Sequence, residues 1–338
     1  MKLLLNLLLL LLIALQTSSA LWGQPAKSTA DTKELLTAAR KAIEQNAAKL
    51  QSVAAQGNIR HLRFERDVEL PTVTLDADLT LVYQAPKFRL TLQYASPAEQ
   101  LPDDRQRPTT AWPIADARES GEPKLHQQTI LFDGKTVITV EQSRKGSWRG
   151  DIYFDFHKQN MLRMAGFPFE DPVALWNEPL RIDRADLGDS ETTPLRGGGF
   201  LGVLNKDTYR LKYYFLGSFA HDLRRVSSYR LGEEIPFRDW HLIWQQAGGG
   251  HYVERLVRRI NESTSAVVEA NTSAVTHEVV ELQYKSFSLN PTIDANTFDL
   301  SGLTLPDAVP FHDHRVNVNG KPKVLAFRGG NLVSPGTE

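Results

Sequence analysis

The sequence predicts a mainly β protein of the α+β class: a large curved antiparallel sheet or half-open barrel. Three observations lead there. Beyond Thr208, five β-prone runs (Tyr209 to Leu216, Asp222 to Leu231, Phe237 to Gln246, His251 to Ile260, Ala274 to Leu289) follow one another across turn-rich pieces. Consecutive antiparallel strands of that kind curl into a curved sheet or a partly closed barrel. Lys87 to Tyr94 alternates cleanly, with Phe88, Leu90, Leu92 and Tyr94 on one side and Arg89, Thr91 and Gln93 on the other, as a half-buried strand does. The third is Gln128 to Glu141, QTILFDGKTVITVE, where two β-prone runs flank Asp133-Gly134. That dipeptide suits a two-residue type I′ turn, because both central positions take positive φ.

In that register Phe132 pairs with Lys135, Leu131 with Thr136 and Ile130 with Val137. Ile130, Phe132 and Val137 then share one face, and Leu131, Ile138 and Val140 the other. A hairpin at a wet sheet surface shows one polar face. This one is apolar on both, so each side needs a cover: a helix layer with a second curl of sheet, or a helix layer with a ligand.

The chain opens with Lys2, an apolar run from Leu3 to Leu15, and Ser18 and Ala20 at the two small positions before Leu21. This is the form of a secretory signal peptide over residues 1–20. The run is shorter than the roughly 20 residues a spanning helix needs. The expected product is periplasmic or secreted, with no stable membrane span after cleavage. Residues 21–30 read as a linker. Asp31 to Ala54 reads as a helix, with Asp31 and Glu34 spaced as in a capping box. Leu35, Leu36, Ala39, Ile43, Ala47, Leu50 and Val53 form its apolar stripe, and Gln56-Gly57 ends it.

Strands follow at His61 to Glu69, a polar-rich edge, and at Thr72 to Tyr83. Ser96 to Gln127 carries Pro97, Pro102, Pro108, Pro113 and Pro123 amid charges, and is expected to be a mobile surface excursion. Ser147 to Phe156 reads as a further strand, and Lys158 to Ala165 and Asp171 to Trp176 as short helices. Residues 31–315 are expected to form a single domain with excursions at 96–127 and 166–207. Residues 316–338 are expected as a peripheral or disordered tail.

Composition narrows the function classes. Lysine plus arginine (39) nearly balances aspartate plus glutamate (40), which gives no reason to expect nucleic acid or an anionic membrane surface as the main partner. The chain has no cysteine, excluding thiol catalysis, Cys-ligated zinc and a lipid-modified N-terminal cysteine. No Gly-x-Ser-x-Gly elbow and no His-Glu-x-x-His is present, so no catalytic residue, no metal and no cofactor is assigned. His312-Asp313-His314 is the nearest approach to a metal site, and reads as a solvated segment. The Gly-rich run Arg196 to Gly202 reads as a flexible loop. The arginines at 224, 225, 230, 238, 255, 258 and 259 read as a solvated outer sheet face. Trp240, Leu242 and Trp244 share one strand face, and two tryptophans there bring a large apolar area that must be covered.

Three stretches resemble the periplasmic lipoprotein-carrier family, the LolA-like fold that includes the RseB-type stress sensors. An N-terminal amphipathic helix runs into strands. Leu81-Val-Tyr-Gln-Ala-Pro-Lys-Phe-Arg-Leu-Thr-Leu is similar to the family's strand, proline turn, strand unit, and Leu131-Phe-Asp-Gly-Lys-Thr-Val to its Asp-Gly-Lys hairpin. Ile293-Asp-Ala-Asn-Thr-Phe-Asp-Leu with Leu305-Pro-Asp-Ala-Val resembles its closing strand. The resemblance implies a deeply curved antiparallel sheet with helices covering the concave face, around a cavity that accepts acyl chains. Leu90, Leu92, Ile130, Leu131, Phe132, Ile138, Trp240, Leu242 and Trp244 are the expected lining. The leading expectation is a non-enzymatic carrier whose partner is the acyl chain of a lipid or lipoprotein. The alternatives are an envelope sensor or scaffold of the same fold that binds a protein partner, and an exported hydrolase with an unrecognised site.

Overall fold

The computed structural model describes residues 34, 37, 38, 41, 45, 51–64, 72–95, 118–119, 125–165, 167, 190–195, 199–205, 208–217, 223–247, 250–261 and 276–335. Glu34, Thr37, Ala38, Lys41 and Gln45 are helical. The apolar stripe expected on that helix, the proposed signal peptide, the helix at 171–176 and most of the 96–127 excursion lie outside the described residues.

The rest is mostly β, laid out as one open, curved, mainly antiparallel sheet. Its centre is β1 (Ser52–Arg63), paired antiparallel on one side with β14 (Thr276–Leu289) and on the other with β2 (Thr72–Gln84). From β14 the sheet runs outward through β13 (Gly250–Asn261), β12 (Arg238–Ala247), β11 (Leu223–Arg230), β10 (Tyr209–Phe215) and β9 (Phe200–Asn205) to β8 (Ser190–Pro194). From β2 it runs through β3 (Lys87–Tyr94), β5 (Leu125–Phe132), β6 (Thr136–Ser143) and β7 (Trp148–Phe154). There β15 (Pro310–Val318) joins β7 in parallel, followed by β16 (Lys321–Arg328) and β17 (Asn331–Val333). The two-residue β4 (Arg118–Glu119) lies parallel to the start of β2. Among the described residues no pairing joins β8 to β17, so the sheet is open. One short helix, α1 (Lys158–Met164), follows β7 through a 3₁₀ turn at Asp155–His157.

The first correction concerns β1. Ser52 to Ala54 belongs to a strand, not to the end of a helix, and the strand is central rather than an edge. Val53, Ala55 and Ile59 are buried at every second residue around Gly57, a period of two that decides the matter. Val53 had also fitted the preceding helical spacing. Gly57 does not stop a helix. It sits at a register shift where β1 and β14 approach too closely for a side chain.

The central hairpin is the second. The structure pairs Phe132 with Val137 and Leu131 with Ile138, leaving residues 133–136 between the last paired positions. The Asp133 carboxylate accepts the backbone N–H groups of Lys135 and Thr136, both at 2.7 Å, and this side-chain-capped turn replaces the two-residue one. The register differs from the expected one by two residues, an even shift, so every side chain keeps its face. Gly134 has φ of +99°, as either turn requires. We therefore expect Gly134→Val to cost about 1–3 kcal/mol through backbone strain, read as a lower midpoint in thermal or urea unfolding. An unchanged midpoint would show that this conformation is not required.

The chain's end takes the first of its two expected forms. Residues 316–335 are peripheral and largely exposed but ordered, with β15 continuing to Val318 and β16 and β17 following. Phe311 and Phe327 are buried with Leu303 and Val309 against Leu131, Ile138, Val140 and Ile152. The apolar outer face of the β5–β6 hairpin is thus covered by the C-terminal strands and the segment before them. The Arg89 guanidinium ties that segment down by donating to the Gly302 carbonyl at 3.0 Å. The Gly-rich run also differs from expectation, since 200–205 pairs as β9 between β8 and β10.

Candidate functional site

The inner face of the sheet is apolar from β9 round to β7. Alternation places Leu79 and Leu81 of β2 beside Leu92 and Leu90 of β3, and these beside Gln128 and Ile130 of β5. On the other wing Trp240, Leu242 and Trp244 of β12 stand beside Arg258, Leu256 and Val253 of β13. Of the expected lining, Leu90, Leu92, Ile130, Phe132, Trp240 and Leu242 are buried in this one cluster, and Trp244 packs against it. Trp244 turns its indole N–H to the Leu223 carbonyl at 2.8 Å, which leaves its ring on the apolar side. Leu131 and Ile138 do not belong to the set. They point to the opposite face and are enclosed by Phe311, Phe327, Leu303 and Val309, because neighbours on a strand face opposite ways.

Part of the inner face is occupied by the protein itself. Met161 and Leu162 of α1, with Ala165 and Phe167 beyond it, join the same cluster. Among the described residues α1 is a helix that touches this cluster, and the helices expected to cover the concave face are not shown. Tyr252 and Phe287 stack with centroids 4.0 Å apart, and Tyr284 meets Phe287 edge-on at 5.5 Å. Burial pushes the Tyr284 phenol far above its ordinary pKa. A cation also stands on this face: the Arg258 guanidinium lies 5.6 Å from the Trp240 ring centroid. The arginines read together in the sequence are therefore divided. Arg258 faces inward, Arg225 outward, and Arg230 sits 3.9 Å from Glu233 at a strand end.

A polar seam borders the apolar floor on β3, β5, β6, β7 and β15. The Tyr94 hydroxyl donates to Gln128 Oε1 at 2.8 Å, and Gln128 Nε2 donates to Glu141 Oε1 at 2.9 Å. Burial, helped by the Asp151 carboxylate, raises the Glu141 pKa. Buried Asp151 meets His314 Nε2 at 2.8 Å and Arg149 Nη2 at 3.0 Å, both on Oδ1, with His312 Nδ1 at 3.8 Å. Tyr153 stacks on the His314 ring at 4.5 Å. The two histidines share a side, and their segment is a half-buried strand with Asp313 enclosed rather than the solvated segment expected. Their nitrogens turn to a carboxylate already paired with a guanidinium, and among the described residues no His, Cys, Asp or Glu group could hold a metal.

The outer face of β10–β12 carries a second buried carboxylate, Asp239. It accepts hydrogen bonds from Ser227 Oγ (2.7 Å) and Arg225 Nε (2.8 Å), and its other oxygen lies 3.0 Å from His241 Nε2. Burial opposes its ionisation, but the bonds from His241, Arg225 and Ser227 outweigh that and hold its pKa below the usual carboxylate range. The residue types are those of a hydrolytic triad; the wiring is not. A nucleophilic serine must bond to the histidine, whereas Ser227 is fully buried and bonds to the aspartate. Spacing alone did not reveal this group, since Ser227, Asp239 and His241 meet only through the β11–β12 pairing.

Fold and site together describe an open curved β-sheet with an apolar inner face bordered by polar groups. No protein-family model matches the chain, and no curated protein does. Among solved structures, the chain is similar to a DUF1329 family protein from Desulfovibrio piger, at 7% identity and a TM-score of 0.35, over 80% of this chain and 99% of that one. It is also similar to a putative outer membrane lipoprotein-sorting protein domain from Vibrio parahaemolyticus, at 8% identity and a TM-score of 0.33, over 77% and 95%. Both scores lie below 0.5, and neither likeness carries an argument about function.

Proposed function

We propose that this protein is a non-enzymatic carrier of the bacterial envelope, exported to the periplasm, that holds the acyl chain of a lipid or lipoprotein on its inner face. One observation supports this above the rest: a single apolar cluster extends across the inner face from β9 to β7 and includes the Trp240, Leu242, Trp244 stripe. An acyl chain laid on such a surface gains about 0.8 kcal/mol per methylene removed from water, so a long chain is retained through purification. The polar seam and Arg258 supply groups at the border where a headgroup would lie. No helix among the described residues is long and apolar enough to cross a membrane.

The sensor or scaffold reading has its own support in Met161, Leu162, Ala165 and Phe167, which fill part of the inner face with protein. One experiment separates the two. The protein is purified from the envelope without detergent, extracted with organic solvent, and the extract analysed by mass spectrometry beside a fluorescent fatty-acid titration of the extracted protein. An acyl species close to one per chain, and saturable binding afterwards, is expected. An empty extract with no titration signal would overturn the carrier reading and leave the scaffold.

A further inference from the structure

One end of the sheet gathers the β2–β3 turn, the β5–β6 loop, the end of β7 and the β15–β16 turn, a consequence of antiparallel pairing plus the parallel β7–β15 contact. There Phe156 is 70% exposed and Phe154 46% exposed. Their rings stack on each other, centroids 5.6 Å apart and 14° from parallel, so the pair presents one continuous aromatic surface to water. Val316 and Val318, on the strand beside β7, are 43% and 51% exposed. Single exposed apolar residues are ordinary, but an adjoining aromatic pair marks a contact surface.

The charges around it are unevenly engaged. Lys135 and Lys321 are exposed and Lys87 is half-buried, while Lys158 has its ammonium 5.4 Å from the Phe132 ring centroid. The acids of the same corner are tied locally. Asp133 accepts its own loop's N–H groups, Asp155 accepts the N–H of Phe156, and Asp313 holds Arg315 through both carboxylate oxygens. Counted by residue, Lys87, Lys135, Lys158, Lys321 and Arg315 stand against Asp133, Asp155 and Asp313, so the corner carries an excess of cations. Aromatic rings flanked by lysines suit the boundary between headgroups and acyl chains, where the ring enters and the ammonium stays with phosphate.

The corner also adjoins the inner face. Phe132 ends β5 as a member of the inner cluster, and α1 leads from Phe156 directly to buried Met161 and Leu162. We infer that Phe154 and Phe156 form a docking tip that inserts into the surface of an anionic lipid bilayer. This stands on exposure, stacking and charge; from the carrier reading it takes only what the contact would deliver.

The test is flotation of the purified protein with vesicles of phosphatidylcholine alone or mixed with phosphatidylglycerol. Binding to the mixed vesicles only, weakening with added salt, is expected. The double variant Phe154→Ser/Phe156→Ser should lose roughly tenfold or more of that binding, and Lys135→Glu should lose part of it. Leu231→Ser, which removes a 55% exposed apolar side chain at the opposite end of the sheet, should leave it unchanged. Equal flotation of the double variant and the wild type would overturn the tip, as would no flotation of the wild type. Equal binding to both vesicle types would overturn the anionic partner. Fatty-acid titration without vesicles reports the carrier reading separately, and the double variant should bind like the wild type there.

Discussion

Replacing Gly57 by alanine is expected to be the most damaging small substitution in the sheet. The added methyl would fall inside the van der Waals surface of the Gln283 carbonyl oxygen and 2.9 Å from the Tyr284 Cα. Both are backbone atoms of the neighbouring strand, so no side chain can swing aside. Relief requires β1 and β14 to part at the centre of the sheet. Overpacking of a well-filled interior costs typically 1–3 kcal/mol and sometimes more, and a backbone clash belongs at the upper end. For a chain of this size about 3 kcal/mol lowers the melting temperature by roughly 4 °C. Gly146→Ala is the control. Gly146 has φ of +84° with nothing within 4 Å of the added carbon, so only backbone strain is incurred. Circular-dichroism melts of both variants settle the comparison. Equal losses would show that the close approach of the two strands is not rigid.

The second large effect separates the two faces of the sheet. Leu242→Glu is expected to abolish fatty-acid binding with a modest loss of stability, and Leu131→Glu to unfold the protein. Both leucines are buried, at 2% and 0% exposure. They differ in what covers them. Leu131 is closed in by phenylalanines and leucines of the C-terminal segment, where a carboxylate has neither partner nor water. Losses of several kcal/mol follow from such a site. Leu242 lies on the face that must open to admit an acyl chain under the proposed function, and a glutamate there reaches water when that face opens. The measurements are a fluorescent fatty-acid titration and a thermal melt of each variant. If Leu242→Glu unfolds as completely as Leu131→Glu, and the wild type binds no fatty acid, then Leu242 is ordinary core.

The hairpin at 128–141 shows why some of this was legible in sequence and some was not. Its two apolar faces could be read from alternation alone, and they survived a register two residues away from the expected one. What covers the second face could not be read. Phe311 and Phe327 come from the far end of the chain, and nothing local announces that they pair there. Leu131 and Ile138 were assigned to the lining with Ile130 and Phe132 for the same reason: both faces were apolar, and only the long-range partner told them apart. β1 failed differently. Val53 satisfies helical and strand spacing equally, and the Ala54-Ala55 pair favours a helix by intrinsic propensity, which the tertiary pairing overrides. The half-buried strand at 87–94, with one dominant periodicity, was placed to the residue. The tryptophan stripe of β12 also emerged as expected, since a run of alternating large side chains allows few alternatives.

The parallel contact between β7 and β15 has a bearing on how the protein is made. Synthesis runs from the N-terminus, so β5, β6 and β7 exist long before Phe311 or Phe327 leaves the ribosome. Until then the outer side of this hairpin has no native partner, and Leu131, Ile138, Val140 and Ile152 form a sticky strip. The contact that seals it joins positions far apart in the chain, and such high contact order makes closure slow. A chain interrupted before residue 310 would carry that strip permanently. The last strands act as a late-arriving latch, and handling of the nascent chain until it closes is built into this topology.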